Sequence, residues 1–222
     1  MIFRDRAEAG RALAGKLMGL AGRGDVIVLA LPRGGVVVGY EVAQALAAPL
    51  DVFVVRKLGT PGQPELAMGA IASGGVVVLN PDVVHGLNIP DEVIRAAAAR
   101  EQQEIERRER EYRGNHAAYP LRQHAVILVD DGLATGSTMR AAVAAVRDRD
   151  PASIVVAVPV AAASTCDELR NESEVDHVVC LATPKDFQAV GQWYREFPQI
   201  SDQEVRDLLQ RSQAEQRPLR TA

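Results

Sequence analysis

The sequence predicts an α/β fold with a central, mostly parallel sheet flanked by helices. Three observations carry that expectation. Continuous apolar runs of strand length recur at residues 26–31, 126–129 and 154–159, and such runs suit strands buried on both faces, as in a parallel sheet covered by helices. Helix-like segments alternate with these runs, which is the pattern that builds right-handed crossovers. With 47% hydrophobic residues over 222, the chain can bury a core without disulfide staples.

Taken in order, Asp5 can cap a first helix over 6–20 that carries Ala9, Leu13, Leu17 and Leu20 on one face. The first strand, 26–31, lies between Gly24 and Pro32. A helix over 34–47 and a second strand over 51–55 follow. Gly59, Pro61, Gly62 and Pro64 mark a loop, after which 66–73 pairs with 76–79 across Gly74-Gly75 as a hairpin. Residues 90–113 are helical and dense in Glu and Arg, so they predict a solvated face laced with i,i+4 pairs. Strands over 126–130, 154–159 and 175–181 then alternate with helices over 136–148 and 164–170. A tail from Thr183 gathers Phe187, Trp193, Tyr194 and Phe197. Ser201 caps a last helix bearing Val205, Leu208 and Leu209.

Several classes are excluded. The net charge of -4 gives no basic excess for nucleic acid. The four histidines are scattered, and Cys166 and Cys180 match no metal-ligand spacing. Two cysteines suit a reducing compartment. The apolar runs fall short of the roughly 20 residues of a membrane span. Arg4, Asp5 and Arg6 follow Met1-Ile2-Phe3 in place of an apolar signal core. A soluble, cytoplasmic protein is expected.

Residues 126–138, Val-Ile-Leu-Val-Asp-Asp-Gly-Leu-Ala-Thr-Gly-Ser-Thr, hold the most specific signal. A buried strand delivers two adjacent carboxylates at its carboxyl end, where α/β folds bind ligands. A loop of small residues then enters a helix, so its N–H groups, its hydroxyls and the helix dipole suit a phosphate monoester. A phosphate cradle beside acceptors for a diol describes a ribose 5-phosphate site. The loop is not a Walker A motif, since no Gly-Lys-Ser/Thr stands at the required spacing.

This segment resembles the phosphoribosyl-pyrophosphate (PRPP) signature of type I phosphoribosyltransferases, closest to the branch designated "predicted phosphoribosyltransferase". The resemblance implies that Asp130 and Asp131 hold the ribose hydroxyls, and that Ala134, Thr135, Gly136, Ser137 and Thr138 wrap the 5-phosphate. The turn Leu31-Pro32-Arg33-Gly34-Gly35 is similar to the family's pyrophosphate loop, which often carries a non-proline cis peptide. It assigns Arg33 and Gly34 to pyrophosphate, with Arg56 and Lys57 at the end of the second strand. Residues 59–80 correspond to a lid whose acid, Glu65, could contact the nucleophile or its proton. Residues 90–114 are a helical insertion, and 183–200 a hood in which Phe187, Trp193 and Tyr194 would cover the acceptor. One domain spans 1–222.

By the same resemblance, Mg²⁺ would bridge PRPP and water near Asp130 and Asp131 without a protein cage. The acceptor would be a nitrogen of a nucleobase or related heterocycle, as in nucleotide salvage, and the two terminal helices could serve a homodimer. Two departures matter. Ala134 stands where some relatives place an acidic general base, and residues 159–163 lack the lysine that reads 6-oxopurines, so neither hypoxanthine nor guanine is assigned. With no acid at 134 and only a loose match at Glu65, a PRPP-sensing regulator with little catalysis is the alternative, and a hydrolase of phosphosugars or nucleotides a third reading.

Overall fold

The computed structural model describes residues 1–114 and 116–216, apart from the side chains of Pro64, Glu65 and Gln216. Strands β1 (Val26–Ala30), β2 (Leu50–Val52), β6 (Ala125–Val129), β7 (Ser153–Val160) and β8 (His177–Ala182) form a parallel sheet in the order β2-β1-β6-β7-β8. The order reverses at β1, and ligand crevices open at such a switch point, beyond the carboxyl ends of the strands.

The apolar runs are explained by burial on both faces. Val26, Val28 and Ala30 of β1 and Ile127 and Val129 of β6 join one core with α1 (Arg6–Leu17), α2 (Gly34–Leu46) and α7 (Asp202–Gln216). Their neighbours Ile27, Leu29, Val126 and Leu128 join a second core with α5 (Ser137–Arg147) and α6 (Ala163–Arg170). Asp5 caps α1 by accepting the Glu8 N–H at 2.7 Å. Ser201 and Glu204 exchange bonds as a capping box at the start of α7.

The second strand departs from expectation. It ends at Val52, and the chain leaves the sheet through Phe53 and Val54, the latter held by Ser73 Oγ at 2.8 Å. Arg56 and Lys57 therefore do not close β2. They lie in β3 (Val55–Thr60), the first strand of an antiparallel sheet completed by β4 (Gln63–Ala72) and β5 (Val77–Leu79). The expected hairpin pairs as predicted, with Ala70 opposite Val78. The expected loop around 59–64 is instead a tight turn between β3 and β4, where Gly62 adopts a left-handed φ of 78°.

After the short helix α3 (Pro81–Gly86) comes α4 (Asp91–Arg113), which shows the expected pairs, among them Arg108–Glu104 at 2.7 Å. It is more than a solvated face, because Ile94, Ala97, Ile105 and Tyr112 are buried against the core. Arg113 also reaches Asp51 of β2 at 2.7 Å. The apolar faces of α1 and α7, candidates for a dimer contact, are consumed within the chain: Ala9 and Leu13 of α1 and Val205 and Leu209 of α7 are buried.

A second departure concerns the cysteines. Cys166 of α6 and Cys180 of β8 form a disulfide rather than two thiols, since α6 packs on β8 and brings their Cα atoms to 6.8 Å. Among the described residues, no helix is long and apolar enough to cross a membrane.

Candidate functional site

The site is built where β1 and β6 end side by side. Their last residues, Ala30 and Val129, are register partners, and Leu31 N–H donates to Val129 O at 2.9 Å. The turn after β1 therefore lies directly on the acidic turn after β6. The peptide Pro32–Arg33 is cis. Contact between the two turns is so close that each glycine has a steric reason. A Cβ on Gly34 would fall 1.9 Å from Asp131 Oδ2, and one on Gly35 would fall 2.8 Å from Val129 O. Neither glycine needs a positive φ, so close approach is what requires them.

The two carboxylates are held differently. Asp130 Oδ1 accepts the Asp131 N–H at 2.8 Å, while Asp131 Oδ2 accepts from Arg6 Nε at 2.7 Å. The Tyr194 hydroxyl donates to Asp131 O at 2.5 Å. Burial, then the neighbouring Asp131 charge, holds the Asp130 carboxyl well above the usual carboxylate range. Burial also lifts Asp131, opposed by the hydrogen bond and charge of Arg6.

The loop that follows is open to an anion. Gly136, with φ 71°, is the N-cap of α5, and among the described residues no side chain caps that helix, so its first N–H groups can donate to an anion. Ala134, Thr135 and Ser137 are exposed and Thr138 is half-buried. Two residues brace the loop from behind through its carbonyls: Thr165 Oγ1 donates to Ala134 O at 2.5 Å, and Arg140 Nη1 to Thr135 O at 2.7 Å. Arg140 is itself held by Glu168 and Glu172, each at 2.6 Å. Lys57 lines a cavity of about 320 Å³ together with Ser137 and Thr138.

The fold thus brings together Asp130, Asp131, Gly34, the 134–138 loop and Lys57. Arg33 leans toward Asp202 at 3.8 Å, and Arg56 pairs with Glu101 of α4 at 2.9 Å. The expectation for Glu65 falls on a side chain outside the described residues. Of the tail aromatics, Tyr194 is buried beneath the acidic turn between the Phe3 and Phe197 rings, while Phe187 and Trp193 are half-buried against the same cluster. Val190 closes on Gly132, where a Cβ would lie 2.6 Å from Val190 Cγ1. The pairing of Phe3 with Tyr194 supplies that ring with an apolar partner and draws it inward. Sequence reading passed over Arg6, Arg140 and Thr165, which no local motif marks.

The raised carboxyl of Asp130 has a consequence for stability. A carboxyl whose folded pKa lies above its unfolded value binds more protons when folded, so stability falls as pH rises from the ordinary carboxylate range toward the folded value. Asp130→Asn keeps the oxygen that accepts Asp131 N–H and removes the charge. It is expected to raise stability by about 1 kcal/mol at neutral pH. The difference in Tm from wild type should shrink toward pH 4, and a variant less stable than wild type at pH 7 would contradict this.

Comparison with known proteins gives consistent findings. The family model described as phosphoribosyl transferase domain matches residues 2–191. Two curated proteins of Mycobacterium tuberculosis, strains CDC 1551 and H37Rv, each named "putative phosphoribosyl transferase", are 47% identical over 95% of this chain. The chain spans about half the length of these relatives, 47% of each. The crystal structure of TT1426 from Thermus thermophilus superposes with a TM-score of 0.81 at 42% identity, over 94% of this chain and 98% of that one.

Proposed function

The chain belongs to the phosphoribosyl transferase family, and from that premise we propose that it transfers the 5-phosphoribosyl group of PRPP to a nitrogen of a heterocyclic acceptor, releasing pyrophosphate. The observation that carries this reading is the seating of the acidic turn against Gly34 on one side, with the uncapped start of α5 following it.

In this reading the N–H groups and hydroxyls of 134–138 bind the 5-phosphate, and Asp130 and Asp131 accept the ribose hydroxyls. Gly34 N–H and Lys57 take the pyrophosphate as its bond to C1 breaks and negative charge gathers on it. The acceptor nitrogen then forms the new bond to C1, and its proton passes to solvent or to the departing pyrophosphate, since Ala134 offers no base. Hard carboxylate oxygens suit Mg²⁺, but among the described residues no three His, Cys, Asp or Glu gather into a metal cage. Such an ion would be held beside Asp130 and Asp131 through the ligand's oxygens and water, where it supplies charge neutralisation.

A second reading draws on Ala134, where no acid stands to take the proton of an acceptor. It favours a PRPP-sensing protein with little turnover. One experiment separates the two: PRPP and Mg²⁺ are incubated with a panel of nucleobases and pyrophosphate release is followed, with PRPP affinity measured by calorimetry. Release with at least one base supports transfer; tight binding without release supports sensing. The double variant Asp130→Asn/Asp131→Asn is expected to lose PRPP binding by roughly a hundredfold or more. Affinity equal to wild type would sink the site assignment.

A further inference from the structure

We infer that Arg6 is a positioning residue for the acidic pair and ties its geometry to the C-terminal segment. The inference rests on the proposed function, since it concerns the same site.

Arg6 stands in the first turn of α1, far in sequence from any signature residue. Its side chain is 8% exposed, unusual for an arginine. Its polar contacts are with the site and with the segment that covers it. Nε donates to Asp131 Oδ2 at 2.7 Å, and Nη1 donates to Pro198 O at 2.8 Å. The guanidinium lies over the Phe197 ring, 3.7 Å from its centroid. Phe197 in turn stacks on Tyr194 at 5.0 Å, and the Tyr194 hydroxyl holds the Asp131 carbonyl. Asp131 is therefore gripped at its side chain by Arg6 and at its backbone by Tyr194, and both grips run through the same stack of rings.

A planar fork explains why the residue is arginine. Its N–H groups diverge to two acceptors while its face rests on a ring, which a lysine ammonium cannot reproduce. The contact also sets the rotamer of Asp131 facing Gly34, whose missing Cβ leaves room for that carboxylate. The position of residues 197–198 thus fixes the orientation of a carboxylate assigned to the ribose. The phosphate cradle at 134–138 shares none of these contacts, and this separation makes the inference testable.

The test compares wild type, Arg6→Ala, Arg6→Lys and Phe197→Leu by calorimetry, with PRPP plus Mg²⁺ and with inorganic phosphate as a probe of the cradle alone. Arg6→Ala is expected to weaken PRPP binding by roughly tenfold or more, the size of one lost charged hydrogen bond, while phosphate binding stays within about twofold. Arg6→Lys should fail to recover the loss. Guanidinium ion at millimolar concentration should recover part of it in Arg6→Ala. Phe197→Leu, at a position 37% exposed and so tolerant of change, should weaken PRPP binding in the same direction with phosphate unchanged. PRPP affinity equal to wild type in Arg6→Ala, full recovery by lysine, or equal losses for PRPP and phosphate would each overturn the inference alone. If Arg6→Ala does not fold, Phe197→Leu decides, and unchanged PRPP affinity there overturns it. A wild type that binds no PRPP overturns the proposed function together with it.

Discussion

Replacing Asp51 with alanine is expected to lower the free energy of unfolding by about 2–3 kcal/mol, the cost of removing a buried acceptor of charged hydrogen bonds. Asp51 is 4% exposed in β2, and its Oδ1 accepts from Arg113 Nε and from Val52 N–H, both at 2.7 Å. Burial raises the Asp51 carboxyl, and the charge and hydrogen bond of Arg113 work against that shift. Arg113 also donates to Val52 O at 2.8 Å and pairs with Glu109 at 3.0 Å, so it fastens the end of α4 to the edge of the parallel sheet. Removing the carboxylate leaves the guanidinium with Val52 O and Glu109 but takes away its acceptor on the Asp51 side chain, which also serves Val52 N–H. Tm should fall by roughly 10 °C. The double replacement Asp51→Leu/Arg113→Met should regain most of the loss, since two apolar groups need no partner. A single variant within about 1 kcal/mol of wild type in a denaturant titration would show that the pair does not anchor α4.

Gly34→Ala should separate binding from folding. Its Cβ would fall 1.9 Å from Asp131 Oδ2 and 2.7 Å from Asp131 Cγ, distances that no atom pair tolerates. The obstacle is the end of a side chain, so the fold can yield by swinging Asp131 away from Arg6. The carboxylate proposed to accept the ribose would then be displaced by about an ångström or more. PRPP affinity is expected to fall by roughly a hundredfold, with Tm lowered by only a few degrees. Gly35→Ala is the contrasting variant. Its Cβ would meet Val129 O at 2.8 Å and Asp130 Cα at 2.9 Å, both backbone atoms that cannot step aside. That substitution should cost about 1–3 kcal/mol of stability. If Gly34→Ala bound PRPP as tightly as wild type, Asp131 would not be a ribose ligand.

How much of this was legible in the sequence depended on how far apart the partners lie. The parallel strands were readable because burial on both faces leaves a mark on every residue of β1 and β6 and on β7 from Ile154 onward. The acidic pair and the 134–138 loop were readable because strand, turn and helix start are contiguous. The second strand was misjudged because the apolar stretch Val52-Phe53-Val54-Val55 runs on through the point where the chain changes sheets, and periodicity cannot register a bend. Arg6 was invisible for a different reason: its partner Asp131 lies 125 residues away, and nothing beside Arg6 distinguishes it from Arg4. Arg140 and Thr165 act on carbonyls, which carry no sequence label at all. The aromatic tail was noticed for its rings, but the inward pull of Phe3 depends on a pairing that only the folded chain supplies.

That pairing has a consequence for the order of events during synthesis. Phe3 N–H donates to Trp193 O at 2.8 Å, Arg195 N–H to Phe3 O at 2.9 Å, and Glu196 N–H to Arg4 O at 2.9 Å. The segment around Phe3 therefore leaves the ribosome long before its partners do, while the sheet between them can assemble as it emerges. Arg6 meets Pro198 and Phe197 only after that wait. The strand that carries the acidic turn is paired once β7 has joined β6, yet the Asp131 carbonyl and carboxylate are held only when Tyr194 and the Arg6 contacts are in place. A nascent protein thus holds its strands in place well before Arg6 meets residues 197–198, and the fixed orientation of Asp131 becomes a report that those residues have emerged.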